Sequence, residues 1–488
     1  MTARVEQAVA ILRAVAGRTD PTSPLPLAAI SASVGAGLST ASRVCAGLVE
    51  SGMLERGEAY GTFATGPRAL ALSGSAAAAL GPTVHFELHR LAQETAETVI
   101  LSAAEGTGAR IIASVGSGWT LHVPAAVGDV VTDARRAVIR ALAGDAAEAA
   151  MVESQAGRAV EIAVPLTSPD GRRLLSLAIA LPVYRAVRAR PRIRRLLADA
   201  RRAFERALAE GHRGPVVPPP LDRSTITTSV RTEEAALRLV EHLAVAPGSA
   251  TAAAAAVGLR PDRARRLVDA LVRSRLLARD AETDALHVDP AIHAWHRAAF
   301  LPSLARRGSA RAMATAERVG ACVFVTTLAG MRSFTVVEHI EPMGEGLLMA
   351  PWLGRPHPLV GSDGGPTLAM DFDAAQLAHL FPRRHGASEY DQFVRRVQRV
   401  RADGTLTMRS VDEFGITSIS APVRDAAGLV AAAACIVGAT EDVSMRLPEL
   451  QEAARTLAAR LSEDLGATYA ASSGSVDAVD AASIPPSR

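Results

Sequence analysis

Four arginines, Arg260, Arg263, Arg265 and Arg266, crowd the heptapeptide "RPDRARR". A guanidinium presents five N–H donors in a planar fork and stays charged at any working pH. Such a cluster suits anionic oxygens or the acceptor edges of a heteroaromatic ring. A second stretch, "STASRV" (39–44), offers a milder set: the hydroxyls of Ser39, Thr40 and Ser42 and the guanidinium of Arg43. Other reactive patterns are missing. The three cysteines, Cys45, Cys322 and Cys435, are far apart and in no metal-like spacing. His293-x-x-His296 lacks a third ligand, so no metal site is expected, and the pair reads as the surface of a connecting helix. "GAGLST" (35–40) has no strand before it and is not a dinucleotide fingerprint. No nucleophile–base constellation is visible, and catalytic residues are expected to be none.

Both polar stretches sit on the same kind of scaffold. In the first, Ala41, Val44, Cys45 and Leu48 recur at helical spacing, and in the second Ala264, Leu267, Val268 and Leu271 do so. An apolar helix precedes each, with Val5, Val9, Leu12 and Ala16 forming one stripe and Leu27, Ile30 and Val34 the next. Gly35 permits a sharp turn, and Ser39 or Thr40 is placed to cap the following helix. Met53-Leu54 and "ERGEAYGTF" read as a strand and a small hairpin. Helix, turn, helix and hairpin predict a winged helix-turn-helix, whose second helix presents its polar face to a major groove of double-stranded DNA. There Ser and Thr reach phosphates or bases, and Arg reaches phosphate or guanine.

This scaffold occurs twice. An offset of 223 residues pairs Arg43 with Arg266, Leu48-Val49 with Leu271-Val272, and Ser51 with Ser274. Further along, "TVILSAAEG" (98–106) faces "CVFVTTLAG" (322–330) at an offset of 224, and "VPLTSPDGRRLLSLAIAL" (164–181) faces "APVRDAAGLVAAAACIVG" (421–438) at 257. The second copy therefore holds a helical segment (371–398) that the first lacks. PDG (169–171) and DAAG (425–428) read as hairpin turns. In the second copy's helix-turn-helix, Ala250 and Ala253 replace Leu27 and Ile30, which thins that core. "RGPVVPPPLDRSTITTS" (213–229) reads as a semi-rigid linker and the small polar residues 471–488 as a disordered tail.

Composition agrees with a globular chain of several domains. The 488 residues are 49% apolar and 21% charged, with aromatics at 3%. Every one of the 53 basic residues is Arg, yet the net charge is only +3, so any nucleic-acid surface must be local. No run is long and apolar enough for a membrane span, and the N-terminus lacks a signal-peptide pattern. A reducing cytoplasm is expected.

At "VEQAVAILRAVA", "SVGAGLSTASRVCAGLVESGMLER", "LHRLAQETAETVILSA" (88–103) and "MRSVDEFGITSISAPVRDAAGLVAAAACIVG" (408–438), the sequence resembles the IclR family of bacterial transcription regulators. The resemblance implies an α+β chain in which each winged helix-turn-helix is followed by a GAF-like α/β domain that binds a small-molecule metabolite. The units are then 1–78 and 230–300 for DNA, and 79–212 and 301–470 for effector, the former trimmed. The resemblance places Asp363, Gly364 and Gly365 in a loop over the ligand, with Asp412, Ser418 and Cys435 in the pocket. Cys435 stands where a strand hydroxyl is common and Val437 where a second polar residue is, which points to a more apolar ligand. Arg135 and Arg136 take the place of the family's Gly-Lys pair, so the first effector domain is read as structural. The expected partners are DNA and a metabolite, with no cofactor and no membrane. One chain forms an intrachain pseudo-dimer, or two chains pair as a homodimer. The alternative is a sensory or scaffold protein of the same fold that has lost direct DNA reading.

Overall fold

The computed structural model describes residues 2–143, 151–168, 173–211, 231–280, 283–343, 348–381, 386–410 and 414–467. The linker (213–229), the tail (471–488), Asp412 and the turn at 169–171 lie outside the described residues.

The first helical unit runs α1 (Thr2–Ala16), β1 (Leu25–Pro26), α2 (Leu27–Val34), α3 (Leu38–Glu50), β2 (Leu54–Arg56) and β3 (Thr62–Thr65). Val5, Val9, Leu12 and Ala16 all point inward, each Val or Leu contributing about 1.5–3 kcal/mol of burial. Gly35 turns the chain with a left-handed φ of 63°, which a side chain would oppose. The α3 start differs from the sequence expectation. Gly37 is the N-cap and Leu38 the first helical residue, so Ser39 and Thr40 lie inside the first turn and cap nothing. Glycine is accepted at an N-cap nearly as well as a hydroxyl residue, which frees both hydroxyls to face outward. The three strands form a small antiparallel wing in the order β1-β3-β2.

Two helices, α4 (Pro67–Ala77) and α5 (Gly81–Thr95), lead into β4 (Thr98–Glu105), β5 (Gly108–Val115), β6 (Val130–Val131), α6 (Ala137–Ala143), β7 (Val152–Ala156), β8 (Ala159–Thr167), β9 (Arg173–Pro182) and α7 (Val183–Gly211). The second half opens with α8 (Thr232–Val245), α9 (Ala250–Ala256), α10 (Pro261–Arg273), β10 (Leu277–Arg279) and β11 (Leu286–Val288). A 3-10 turn enters α11 (Ala294–Ser303), and a π turn joins it to α12 (Ser309–Val319). There follow β12 (Cys322–Ala329), β13 (Arg332–His339), β14 (Pro356–Pro358), α13 (Gly365–Leu368), α14 (Ala374–Leu380) and α15 (Ala387–Asp403). The last elements are β15 (Leu406–Arg409), β16 (Ile416–Arg424), β17 (Val430–Ala439), α16 (Thr440–Met445) and α17 (Leu447–Asp464).

The two six-stranded antiparallel sheets share one topology: β6-β5-β4-β9-β8-β7 and β14-β13-β12-β17-β16-β15. They also share register. Ile100 lies opposite Ala178, and Phe324, at the matching position, opposite Cys435. Bulges fall at Leu101/Ser102 and again at Val325/Thr326, then at Leu166/Thr167 and again at Val423/Arg424. One face of each sheet is covered by its C-terminal helix, with Phe204 of α7 and Leu457 of α17 fully buried.

The two helical units share a continuous apolar core that includes Leu12, Leu48, Leu239 and Leu267. The packing is lopsided. α1 lies along α10, and α4 packs on both α8 and α11, but a cleft of about 1000 Å³ separates α3 from α8. On the packed side Arg273 pairs with Glu6 at 2.8 Å; across the cleft Glu50 pairs with Arg231. Arg68 of α4 ties the units together. Its Nε and Nη2 donate to Glu241 at 2.6 and 2.9 Å, its Nη1 and Nη2 to Glu234 at 2.8 and 3.1 Å, and its Nη1 to the Ser51 carbonyl at 3.1 Å. Burial alone would raise the Glu234 carboxyl, but hydrogen bonds from Arg68 and Arg238 outweigh it and hold it below its usual range.

The helices that join the units to the sheets carry a buried histidine group. His293 and His296 are buried, which corrects the sequence reading of a surface pair: α11 is enclosed by α4 and β5 and has little outer face. Burial lowers His85 to about 4 and His293 to about 3, with Arg297 adding to both, although Asp371 opposes the shift at His85. His89 and His296 are lowered as well, again by burial first.

Replacing Arg68 by Ala leaves Glu234 and Glu241 without their shared cation. Denaturant unfolding should show a loss of about 3 kcal/mol, and Lys should recover only part of it because an ammonium cannot fork to two carboxylates. The histidines predict acid sensitivity. The folded protein keeps them neutral while the unfolded chain protonates near pH 6.5, so stability present at pH 7 should decline as pH falls from about 6.5 toward 4. Unfolding midpoints that stay flat across that interval would contradict this.

Candidate nucleic-acid interface and ligand cavity

The polar faces of α3 and α10 are displayed by burial of the opposite faces. Ala41, Cys45 and Leu48 are buried on α3, and Ala264, Leu267, Val268 and Leu271 on α10. Ser39, Ser42 and Arg43 are exposed, and Thr40 is half-buried. On α10, Arg260 is the N-cap, Pro261 takes the first helical position, and Arg260, Arg265 and Arg266 are exposed while Arg263 is half-buried. Arg265 leans on Asp262 at 3.3 Å, an exposed pair that gives way easily to a phosphate. Arg43 and Arg266, at equivalent positions, carry no ion pair among the described residues. Arg43 lines the cleft between α3 and α8, where Arg4, Arg231 and Arg238 also stand. Two further exposed groups were not singled out from sequence: Leu38 at the tip of α3, and Tyr60 at the tip of the wing. The turn around Gly61, with φ at 71°, is what lifts Tyr60 outward.

On the face of the second sheet away from α17 lies a cavity of about 100 Å³, room for a ligand of only a few heavy atoms without rearrangement. Asp363, Gly364 and Cys435 line it, together with Val437. Gly364 is required by space, since a Cβ there would stand 2.6 Å from Thr326 Oγ1 and 3.2 Å from Cys435 Sγ. Gly365 does not line the cavity; its missing Cβ accommodates the Leu359 carbonyl, so it shapes the loop. Ser418 is buried and also stands apart from the lining, with Oγ donating to the Met408 carbonyl at 3.3 Å. Burial, then the nearby Asp363 charge, pushes the Cys435 thiol far up, so it stays neutral.

The cavity's apolar lining, from Phe324, Met349, Trp352, Ile416 and Val437, is broken by polar residues the sequence reading passed over. Thr326, Ser333 and Thr335 face the cavity, with Arg355 and His357 at its mouth. Ser333 donates to Ser362 Oγ at 2.7 Å, while Thr326 Oγ1 is buried with no hydrogen-bond partner. The period-two alternation of "CVFVTTLA" and "RSFTVVEH" carried that signal, because hydroxyls on one strand face must meet a polar filling or a void.

The first sheet closes the same face. Val138 and Ile139 of α6 pack on Ile100, Ala163 and Ala178. Glu161, equivalent in register to Ser418, is buried there. It accepts from Arg136 Nη2 at 2.7 Å and from the Val138 N–H at 3.2 Å. Arg135 is exposed and pairs with Asp133 at 2.8 Å. The chain thus fills its own first pocket with a carboxylate and an arginine.

No group of three or more His, Cys, Asp or Glu among the described residues could hold a metal ion, and no helix there is long and apolar enough to cross a membrane. Similar solved structures include the HmgR regulator of Pseudomonas aeruginosa, 21% identical, covering 49% of this chain and 98% of its own with a TM-score of 0.36. The repressor BlcR of Agobacterium tumefaciens is 21% identical over 49% of this chain and 99% of its own, with a TM-score of 0.34. An IclR-family regulator from Rhodococcus sp. is 22% identical over 50% and 96%, with a TM-score of 0.35. No curated protein matches. The family model for the IclR helix-turn-helix domain matches residues 5–58, and that for the bacterial transcriptional regulator IclR C-terminal domain matches residues 309–463. Those spans hold α3 with its exposed Arg43 and the sheet that bears the open cavity, and the chain belongs to the IclR family of transcriptional regulators, with a DNA-binding helix-turn-helix and a C-terminal effector-binding domain.

Proposed function

We propose that this regulator is a tandem duplication whose two helical units read one operator from a single chain. The observation that carries this reading is that Arg43 and Arg266 are exposed at equivalent positions of helices whose apolar faces are buried in one shared core. The reading surface consists of Ser39, Thr40, Ser42 and Arg43 on α3 and Arg260, Arg263, Arg265 and Arg266 on α10. The unequal charge of the two suits an operator with unlike halves, one read mainly by hydroxyls and one gripped through phosphates. The chain acts in the cytoplasm by binding rather than catalysis. The open cavity of the second sheet takes the effector, with Asp363, Thr326 and Cys435 against it. The first sheet, sealed by Glu161 and Arg136, serves as a fixed frame. Effector binding shifts the second sheet relative to that frame and so the spacing of α3 and α10.

Salt titrations of operator binding test the reading helices. Arg266→Ala should weaken binding to all sequences and reduce the salt slope by about 0.9, the value for one lost phosphate contact. Arg43→Ala, if it touches a base, should cost about 1–3 kcal/mol and relax preference at one position. Unchanged affinity and slope in both variants would remove the DNA assignment from these helices. For the effector, Cys435→Trp should fill the cavity, leaving operator binding intact while abolishing its response to the metabolite in a mobility-shift assay. A retained response would place the effector elsewhere.

A further inference from the structure

A second chamber, of about 580 Å³, lies where the two halves meet. Its walls come from α5 and β5 on one side and from α11, the end of β12 and the β16–β17 turn on the other. No candidate residue from the sequence belongs to it. Most of the wall is apolar, including Val84, Leu88, Val127 and Leu328. Polar side chains break that wall, among them His85, His89, His296, Arg297 and Asp425.

His296 is only 3% exposed, and its protonation is fixed by its neighbours. Ser73 Oγ donates its proton to the Ile292 carbonyl at 2.6 Å. The contact of 2.8 Å between Ser73 Oγ and His296 Nδ1 must then be donated by the imidazole. That leaves Nε2 as a bare acceptor, buried and without a hydrogen-bond partner. Facing it at 4.0 Å is Asp425 Oδ2. The other carboxylate oxygen is committed, since Oδ1 accepts from the Ala427 and Leu429 N–H groups at 2.9 and 3.1 Å. Two acceptors at that separation cannot bond each other. A donor atom carrying two or more hydrogens, seated between them, would reach both at ordinary hydrogen-bond length.

Arg297 follows His296 on the same helix. Its guanidinium makes one long hydrogen bond, Nη1 to the Ile112 carbonyl at 3.4 Å, and no ion pair among the described residues. Burial pulls it down to about 10, against the opposing pull of Asp425, so it remains a cation at neutral pH. Burial pulls the Asp425 carboxyl up, against the opposing pull of Arg297 and of the Leu429 and Ala427 N–H groups. The chamber thus sets a cation and a carboxyl on largely apolar walls, with unused donors beside one and unused acceptors beside the other.

We propose that this interdomain chamber binds a zwitterionic α-amino acid with an apolar side chain. The ammonium group lies between His296 Nε2 and Asp425 Oδ2, the carboxylate faces the Arg297 guanidinium, and the side chain rests on the apolar wall. A zwitterion matches the zero net charge of the site, whereas a simple acid or amine would leave one buried charge unanswered. The site is separate from the effector cavity and does not depend on the DNA reading.

Calorimetric titration of the full chain with L-leucine and L-phenylalanine tests this. Saturable one-to-one binding of at least one is expected, with 3-phenylpropionate and phenethylamine, which lack one of the two charges, at least tenfold weaker. In Asp425→Asn the amide keeps the turn through its oxygen while its NH₂ presents a donor where the ammonium needs an acceptor, so affinity should fall at least tenfold. Arg297→Gln should cause a similar loss, and Cys435→Trp none. Thermal unfolding of each variant checks that it folds; should Arg297→Gln not fold, Asp425→Asn and the two analogues decide. No saturation by either amino acid, equal binding of the analogues, or undiminished binding to folded Asp425→Asn would overturn the proposal, the last two marking an apolar hole occupied without charge recognition.

Discussion

The guanidinium of Arg68 uses all five of its N–H donors, four on Glu234 and Glu241 and one on the Ser51 carbonyl. A planar fork fixed between two carboxylates of α8 and the end of α3 leaves α4 one orientation against the second helical unit. Everything that depends on the relation of the units follows from that. The shared apolar core is non-directional and would tolerate sliding, but the fork would not. The placement of α3 and α10, and of α11 with its buried histidines, is therefore set by polar geometry laid over apolar bulk. Such a pair gives specificity more than net stability, because two carboxylates and a cation lose much hydration on burial.

The two sheets show how one framework accepts opposite fillings. Strand order, register and bulges coincide, so backbone hydrogen bonding is indifferent to what lies on the outer face. In the first sheet Ala163, Ala178 and Ala180 are small enough to let α6 settle onto the strands, and the buried Glu161 carboxylate finds Arg136 and a backbone N–H. In the second, Ser420 bonds Thr367 at 2.7 Å in place of that apolar contact, and α13, α14 and α15 pack over the face around Phe324 and Cys435. What separates the two faces is the filling: α6 and the Glu161–Arg136 pair occupy the one, while the other keeps a cavity beside Asp363 and Cys435.

Local and periodic features were legible in the sequence. The stripes of α1, α3 and α10, the turn at Gly35 and the matched strands follow from spacing alone, because a helix or strand face repeats regularly whatever it packs against. The exposure of Arg43 and Arg266 followed from the same stripes. What spacing could not show was long-range. His293 and His296 look like a helix surface until α4 and β5 enclose them. Glu161 is an ordinary strand residue until Arg136, from another element, reaches it. Ser418 was placed in the pocket by resemblance, but its hydroxyl turns to the neighbouring strand, and the cavity's hydroxyls come instead from β12 and β13. The unequal packing of α1 on α10 and α3 near α8 leaves no trace in the sequence of either unit taken alone.

Glu50 and Arg273 occupy equivalent positions, 223 residues apart, and carry opposite charges, each meeting its complement near the start of the other unit's first helix. The two ends of the seam are thus held by exposed pairs of opposite polarity, which mark the two units as unlike while contributing little to stability. The molecule therefore has a built-in left and right, which a two-fold pairing of identical units would lack.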